Sequence, residues 1–445
     1  MLKKWQKATA LLCLLFSLFA TGCGKQPAAN PAAPGEKATE TQGSQPDDDR
    51  SLRVVTNGNF RNLLLNGAET ERGYYDSIIW PLDMYTEDSP WMHCGNLIYT
   101  DYQTRTRIFL CSTPGCAHNN ENCTSYIRYP RGIVLFANAA ETRLFCMATG
   151  AMDGEVYSED DIGRIYQMDL DGSNRKELLR LKAYESFSLN DPVLSDSERL
   201  YVCVIVTKSA TAEPVKELRS INISDGTWET ILNLKIAENV FSAYDGLIIL
   251  GDGEKVTSNH TYEYRSFSMS RNESKKLYEC DIGEYSIVVN NTLIIANKTV
   301  EDTGAIKIID LLSGSEKIID DIPQEAVGMV SVTDLFDDIV RWAYIDKTEI
   351  GEAQEYLVNC ATGEITKITL RYSEFGGTKR LVPIVAETET QFLVIKDTTD
   401  SKLSLTNAEG IPFLCDWPNR EVYALISKED YRNNIPNYQD IEDTI

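Results

Sequence analysis

The chain has 445 residues, of which 42% are hydrophobic, and its formal net charge is −24 at pH 7. This length and apolar content are enough for one large domain or two, with a well-buried core. The acidic balance excludes nucleic acid as a partner, because phosphate backbones are repelled. For the same reason, surface charge does not hold the protein on anionic lipid headgroups.

The first predicted element is a short leader over 1–22. Three lysines among the first seven residues precede an apolar run of 13 residues, and Ala20-Thr21-Gly22-Cys23 follows. This order resembles a bacterial lipoprotein signal peptide with its lipobox, although Ala20 stands where leucine is commoner. The resemblance implies cleavage before Cys23 and attachment of a diacylglycerol, with acyl chains such as palmitate, to the Cys23 thiol. The alternatives are an ordinary secretory signal or a membrane anchor, but a spanning helix needs about 20 apolar residues.

A flexible tether is predicted next, over 23–50. Its Ala, Pro, Gly, Gln, Thr, Ser and charged residues show no apolar periodicity and cannot repay the entropy of ordering. We therefore expect a protein anchored by lipid to the extracytoplasmic face of the cell membrane, with its folded part held away from the bilayer.

From Ser51 onward the sequence predicts an all-β fold. Short runs rich in Ile, Val, Leu, Tyr and Phe alternate with tight turns, and helical periodicity is almost missing. The turns are predicted at Gln103-Thr104-Arg105, Asp171-Gly172, Asp225-Gly226, Arg271-Asn272, Ser313-Gly314, Thr362-Gly363 and Glu409-Gly410.

From Gly172 onward these turns lie 42 to 54 residues apart. That period predicts a β-propeller of four-stranded blades over 51–427, followed by a C-terminal tail over 428–445. Seven turns predict seven blades, with six or eight as alternatives, and a pair of β-sandwiches is the alternative fold. A strand from 73–80 or 422–426 is expected to close the ring.

The most specific motif after the leader is C-x4-C-x-H-x4-C at Cys111, Cys116, His118 and Cys123. With the flanking segment from Gly95, it is similar to a motif in lipid-anchored β-propellers of gut-dwelling Firmicutes. The segment 166–175 likewise resembles a repeat of TolB-type propellers. These resemblances imply a β-propeller fold and anchoring to the membrane by lipid, and they imply no activity.

Three thiols and an imidazole within thirteen residues are enough for a tetrahedral zinc site. The same residues could form a disulfide or stay as unpaired thiols, and the sequence leaves the three alternatives open. Cys94 is expected within reach of the cluster, because the preceding hairpin places it opposite Ser112 or Thr113. In either bonded case the role is structural, since four protein ligands leave no open coordination position.

No catalytic signature follows from the sequence. The chain has only three histidines, which limits the bases available to a nucleophile. We therefore expect no enzymatic activity and no cofactor beyond a structural zinc, and a propeller that binds a protein, peptide or glycan of the cell envelope. The alternative is a carbohydrate-active hydrolase or lyase that uses a carboxylate pair at the propeller channel.

Overall fold

The strands predicted from Ser51 onward form in a computed structural model of the chain. The predicted leader, the predicted lipidation site Cys23 and the predicted tether lie outside the described residues. Within the described residues, no helix combines the length and apolarity that crossing a bilayer requires. The model describes residues 52–56, 67–79, 93–129, 133–149, 162–207, 213–252, 261–281, 285–298, 303–323, 330–336, 339–345, 353–373, 379–406 and 412–445.

Seven antiparallel four-stranded units follow one another along the chain and form a β-propeller, which confirms the predicted all-β fold and the blade number. We number the blades in chain order. Blade 1 contains β2 (Ala68–Thr70), β3 (Gly73–Ile79), β4 (His93–Asp101) and β5 (Thr106–Phe109), and β6 (Tyr126–Tyr129) also pairs with β4. Blade 2 contains β7 (Ile133–Ala137), β8 (Leu144–Ala148), β9 (Arg164–Met168) and β10 (Lys176–Arg180).

Blade 3 has two additional strands, because β1 (Arg53–Val54) pairs with its first strand and β11 (Glu185–Phe187) with its second. Its four main strands are β12 (Leu194–Ser195), β13 (Arg199–Val206), β14 (Val215–Asn222) and β15 (Trp228–Leu234). Blade 4 contains β16 (Glu238–Tyr244), β17 (Leu247–Asp252), β18 (Thr261–Ser268) and β19 (Glu273–Asp281).

Blade 5 contains β20 (Tyr285–Val289), β21 (Thr292–Lys298), β22 (Thr303–Asp310) and β23 (Glu316–Pro323). Blade 6 contains β24 (Val330–Phe336), β25 (Ile339–Ile345), β26 (Ala353–Asn359) and β27 (Ile365–Ile368). A small hairpin of β28 (Arg371–Ser373) and β29 (Lys379–Leu381) leads to blade 7. Blade 7 contains β30 (Ile384–Glu387), β31 (Gln391–Thr406), β32 (Pro412–Ser427) and β33 (Gln439–Asp440).

The core is divided among the junctions between blades. Each of the seven junctions has its own buried hydrophobic cluster; Phe136 of blade 2 and Val204 of blade 3 belong to one of them, and Leu393 of blade 7 and Tyr74 of blade 1 to another. A blade is therefore covered on both faces. This explains why inner strands such as β7 and β8 are buried at every position instead of alternating.

A recurring side-chain cap shapes the turn between the third and fourth strands of several blades. Asn222, Asp310 and Asn359 each end a third strand, and their side-chain oxygens accept hydrogen bonds from backbone N–H groups two or three residues later. The glycine four residues on takes a positive φ and donates its N–H to the carbonyl of the capping residue. These side chains mimic a backbone turn. An Asp or Asn with a glycine four residues later therefore predicts the turn between the third and fourth strands of a blade.

The predicted turn at Glu409-Gly410 lies outside the described residues, and it is not equivalent to the other six. It falls between β31 and β32, the second and third strands of blade 7. The connection between the third and fourth strands is instead the helix α1 (Lys428–Arg432), whose N-cap Ser427 accepts a hydrogen bond from Asp430 N. Helix α1 thus replaces a tight turn.

The C-terminal segment closes the ring, which corrects the prediction of a tail over 428–445. It supplies α1 and β33 to blade 7, and β34 (Glu442–Asp443) pairs in parallel with β5 of blade 1. The strand segments expected to close the ring, 73–80 and 422–426, belong to β3 and β32 as far as they are described, and these strands pair inside their own blades. Asp443 forms ion pairs with Arg107 of blade 1 and Arg420 of blade 7.

Candidate metal centre

The cysteine motif occupies the segment that leaves blade 1 after β5. The pairing of β4 with β5 ends at Ile98 and Phe109, and β6 then returns to pair with the first half of β4. A segment of 16 residues, 110–125, connects β5 to β6. The sheet therefore holds both ends of the motif at one end of blade 1.

The four predicted ligands converge. One donor atom from each of Cys111, Cys116, His118 and Cys123 lies within 4.8 Å of all the others. His118 Nδ1 and Cys123 Sγ are 3.2 Å apart. Cys123 is buried, and the other three are partly exposed. These residues could therefore hold a metal ion, and three sulfurs with one imidazole are the donor set of a structural zinc site.

The local backbone explains how the loop turns so sharply. Gly115 has a φ of +69°, and Cys116 N donates to Thr113 O at 3.2 Å across the Pro-Gly bend. His118 also lies in the left-handed region, with a φ of +53°, which non-glycine residues adopt infrequently. A second turn brings Cys123 N to Asn120 O at 3.0 Å. The chain thus coils around the point where the four donors meet.

Polar side chains tie this coil to the blade. Buried Asn96 of β4 donates through Nδ2 to His118 O at 3.0 Å and to Ser125 Oγ at 3.1 Å. Ser125 Oγ in turn donates to Leu97 O at 2.9 Å. The ring of His118 packs on Phe109, with 4.4 Å between centroids. The histidine is therefore oriented by the blade before any metal binds, which is the usual arrangement around a metal ligand.

The acidities of the donors differ. Burial opposes ionisation of the Cys111 thiol, but hydrogen bonds from Thr113, Cys123 and Thr124 outweigh it and lower its pKa to about 7. Burial raises the pKa of Cys123 to about 12, and its contacts with Cys116 and Cys111 add to the effect. Burial also lowers the pKa of His118, which keeps the imidazole neutral. A bound cation would reverse the effect at Cys123, because coordination deprotonates a thiol.

Of the predicted site residues, the structure brings together Cys111, Cys116, His118 and Cys123. The three cysteines are free thiols, so the disulfide alternative is not formed among them. Cys94 lies on β4 with its backbone opposite Arg128 of β6, because β6 takes the place that an extended β5 would have filled. Its side chain is outside the described residues.

The sequence did not connect Arg175, the last residue of the segment 166–175, with the cysteine motif, which it contacts from blade 2. Its guanidinium donates to the carbonyl oxygens of Thr124 and Tyr126, the latter at 2.6 Å. Arg175 is about 50 residues from these partners in sequence and begins no recognisable motif. Only the packing of blade 2 on blade 1 brings it there.

A second group of titratable side chains lies on the first strands of two blades that meet at ring closure. Glu387 N of β30 donates to Glu69 Oε1 of β2 at 2.7 Å, and Lys428 Nζ is 3.1 Å from Glu387 Oε2. The Glu69 side chain is exposed at the surface, yet the surrounding protein removes part of its hydration. This desolvation, with the negative charges of Glu387 and Glu141, raises the pKa of Glu69 to about 7.

Comparison with known proteins gives similarity to propellers at the level of fold. Neither a family model nor a curated protein matches the sequence. Among solved structures, an acylaminoacyl peptidase of Pyrococcus horikoshii is 11% identical, with a TM-score of 0.46, over 86% of this chain and 53% of that one. This chain therefore spans about half the length of that peptidase.

Two further similar structures are an oligogalacturonate lyase in complex with manganese and TolB from Acinetobacter baumannii. The lyase is 12% identical, with a TM-score of 0.43, over 82% of this chain and 96% of that one. TolB is 13% identical, with a TM-score of 0.32, over 74% of this chain and 78% of that one. The likeness concerns the fold alone.

These comparisons correct one expectation. Because the sequence shows no catalytic signature, we expected a protein without enzymatic activity. The similar structures include a peptidase and a lyase, so enzymes occur among chains of this architecture. A missing signature in the sequence is therefore no ground for excluding catalysis.

Proposed function

We propose that the protein is a lipoprotein of the extracytoplasmic membrane face whose propeller binds a protein, peptide or glycan of the cell envelope. The leader and the Cys23 lipobox support the address, and the tether over 23–50 supports a folded part that stands off the membrane. A rigid ring with loops on its faces is suited to presenting a binding surface.

The observation that carries the binding role is the fixed connection between β5 and β6. Four side chains of this one loop converge within 4.8 Å, and buried Asn96 holds the loop to blade 1. Such an arrangement rigidifies a loop and offers four protein donors, so a metal there has no vacant position for substrate. A loop held in one conformation loses less entropy on binding a partner.

Lipid attachment at Cys23 and membrane localisation are tested by labelling with palmitate in a bacterial host. The wild-type chain is expected to incorporate label and to fractionate with membranes, whereas Cys23→Ala incorporates none. Cys13→Ala, which changes the other cysteine of the leader, is the matched control and should behave as wild type. Equal labelling of wild type and Cys23→Ala would contradict the lipoprotein assignment.

The partner is sought with the full-length chain in detergent. It is immobilised for capture from envelope extract and, in parallel, screened on a glycan array. We expect the wild-type chain to bind a partner saturably. Cys116→Ser, which frees the connection between β5 and β6, should abolish this binding. Cys280→Ser, which changes a cysteine of blade 4, should retain it. Equal partner binding by the two variants would show that the connection between β5 and β6 plays no part in recognition.

We also propose that the metal at this loop is zinc and that its role is structural. Native mass spectrometry of the full-length chain is expected to show one bound zinc, which is lost under denaturing conditions. Alkylation should then modify Cys111, Cys116 and Cys123. A disulfide among the three, or a native mass without metal, would contradict the zinc site.

A carbohydrate-active hydrolase or lyase is the second candidate function. The specific observation in its favour is the Glu69 and Glu387 pair on the first strands of blades 1 and 7, with the Glu69 pKa raised to about 7, in the range of a general acid. Release of reducing sugar or unsaturated uronate from polysaccharides is measured. Activity should be lost in Glu69→Gln and kept in Glu229→Gln, an exposed glutamate of β15.

A further inference from the structure

Among the described residues, Arg175 donates hydrogen bonds only to neutral groups. Its two hydrogen bonds go to neutral carbonyls, those of Thr124 and Tyr126, and its Nε is buried without a partner. Within the described part of the chain, no carboxylate lies within salt-bridge distance of its guanidinium. A desolvated charge of this kind is costly unless an opposite charge is near.

The titratable groups that interact with Arg175 are the thiols of Cys146 and Cys123, followed by the Tyr166 hydroxyl and the Glu121 carboxyl group. Burial lowers the Arg175 pKa, and the groups that oppose this effect are led by Cys146 and Cys123. Cys146 is fully buried in blade 2, and burial raises its pKa to about 12, so it stays neutral. Cys123, by contrast, belongs to the four-donor cluster and immediately precedes Thr124, which Arg175 contacts.

Resting on the zinc site proposed above, we infer that Arg175 is the counter-cation of an anionic metal–thiolate complex. Zinc binding releases the three thiol protons, and Zn²⁺ with three thiolates and a neutral imidazole has a net charge of −1. That charge would form beside the Arg175 guanidinium. Arg175 is thus a positioning residue of the centre, acting from blade 2 on ligands that all belong to the connection leaving blade 1.

This arrangement links metal binding to the junction between blades 1 and 2. Arg175 is the last residue of the turn between β9 and β10, and its hydrogen bonds hold that turn to the segment after Cys123. If zinc strengthens the contact, the contact must strengthen zinc binding by the same free energy. The metal would then stabilise a contact between two blades as well as its own loop.

The first test compares zinc affinity by competition with a chromophoric chelator, using full-length protein in detergent. Arg175→Gln is expected to weaken affinity about 10- to 100-fold, the usual effect of losing a group that supports metal ligands. Arg175→Lys, which keeps the charge, should stay closer to wild type. Arg180→Gln is the matched control on the strand that follows the turn, because Arg180 pairs with Glu177 at the surface.

Two outcomes would overturn the inference: Arg175→Gln binding zinc as tightly as wild type, or Arg175→Lys losing as much affinity as Arg175→Gln. A wild-type chain that binds no zinc would instead refute the metal proposal, so the two failures are distinguishable.

Hydrogen exchange on the wild-type chain provides a second measurement that needs no variant. Chelation is expected to speed amide exchange at 169–175 in blade 2 and to leave the turn 310–315 of blade 5 unchanged. Unchanged exchange at 169–175 in a chain that has lost its zinc would also overturn the linkage.

Discussion

The carboxyl group of Glu69 makes the stability of the ring depend on pH. Its pKa is raised from an ordinary value of 4.5 to about 7, first by burial and then by the charges of Glu387 and Glu141. Between these pH values the folded state holds a proton that the unfolded state has lost. Stability contributed by this group is therefore full below about pH 4.5, falls as pH rises, and is lost above about pH 7.

Glu69→Gln should remove this dependence, because the amide is neutral at every pH and its carbonyl can still accept the hydrogen bond from Glu387 N. We expect the melting temperature of the variant to approach that of wild type at pH 5 and to exceed it at pH 8. Calorimetry at both pH values measures this. Glu229→Gln on the outer strand β15 should show the wild-type dependence, and an identical pH slope in Glu69→Gln would contradict the assignment.

At the scale of single elements, the glycine turns differ in what surrounds them. Gly226 and Gly314 both have positive φ, +76° and +72°. A methyl group at Gly226 would lie 2.2 Å from the carbonyl oxygen of Leu178 in blade 2, whereas one at Gly314 would meet nothing within 4 Å. Of these two turns, the one in blade 3 is therefore pressed against its neighbour.

Alanine at the two positions should separate backbone strain from crowding. Gly314→Ala is expected to cost about 1 to 2 kcal/mol, the strain of a left-handed residue with a Cβ. Gly226→Ala adds overlap with Leu178 and should cost about 1 to 3 kcal/mol more. The shift of the denaturation midpoint in urea measures both. Equal shifts of the midpoint in the two variants would mean that the outer strand of blade 2 moves aside to accommodate the added methyl group.

The turns also show which part of the fold is legible in sequence. An Asp or Asn with a glycine four residues later forms its turn through contacts within those few residues. Asn222 and Asn359 therefore predict the turns of their blades from local sequence alone. Helix α1 was missed because its five residues are too few to show helical periodicity. The pairing of β34 with β5 was missed because it joins segments more than 300 residues apart.

The same distinction applies to the candidate metal centre. Its four donors lie within thirteen residues, and the motif therefore predicts them, although it cannot decide between metal and disulfide. In the structure an imidazole converges with three free thiols, a group that could hold a metal ion. Arg175 and Asn96 support the centre from separate strands, and no local pattern connects them to it. The ligand set is thus readable from sequence, whereas its supporting contacts require the assembled blades.

At the scale of the whole ring, one carboxylate bridges the first and last blades. Asp443 Oδ2 lies 3.2 Å from Arg107 Nη1, and its other oxygen pairs with Arg420 Nη2 at 2.5 Å. The Arg107 side chain is only 3% exposed and stacks on the ring of Tyr423 at 4.6 Å. β34 adds only two residues to blade 1, so the ion pairs act together with the buried hydrophobic cluster of this junction in holding the first and last blades together.

Asp443→Asn should therefore weaken the closed ring. Arg107 keeps its second partner, Asp76, at 2.7 Å, so the expected loss is about 1 to 3 kcal/mol, less than for a buried charge left alone. Asp440→Asn is the matched control, because Asp440 is 70% exposed in its pair with Lys396 and should contribute under about 1 kcal/mol. Thermal unfolding compares the two, and hydrogen exchange at 106–109 shows whether β5 has lost its neighbour. Equal stability of the two variants would mean that hydrophobic contacts, such as those of Ile441, close the ring instead.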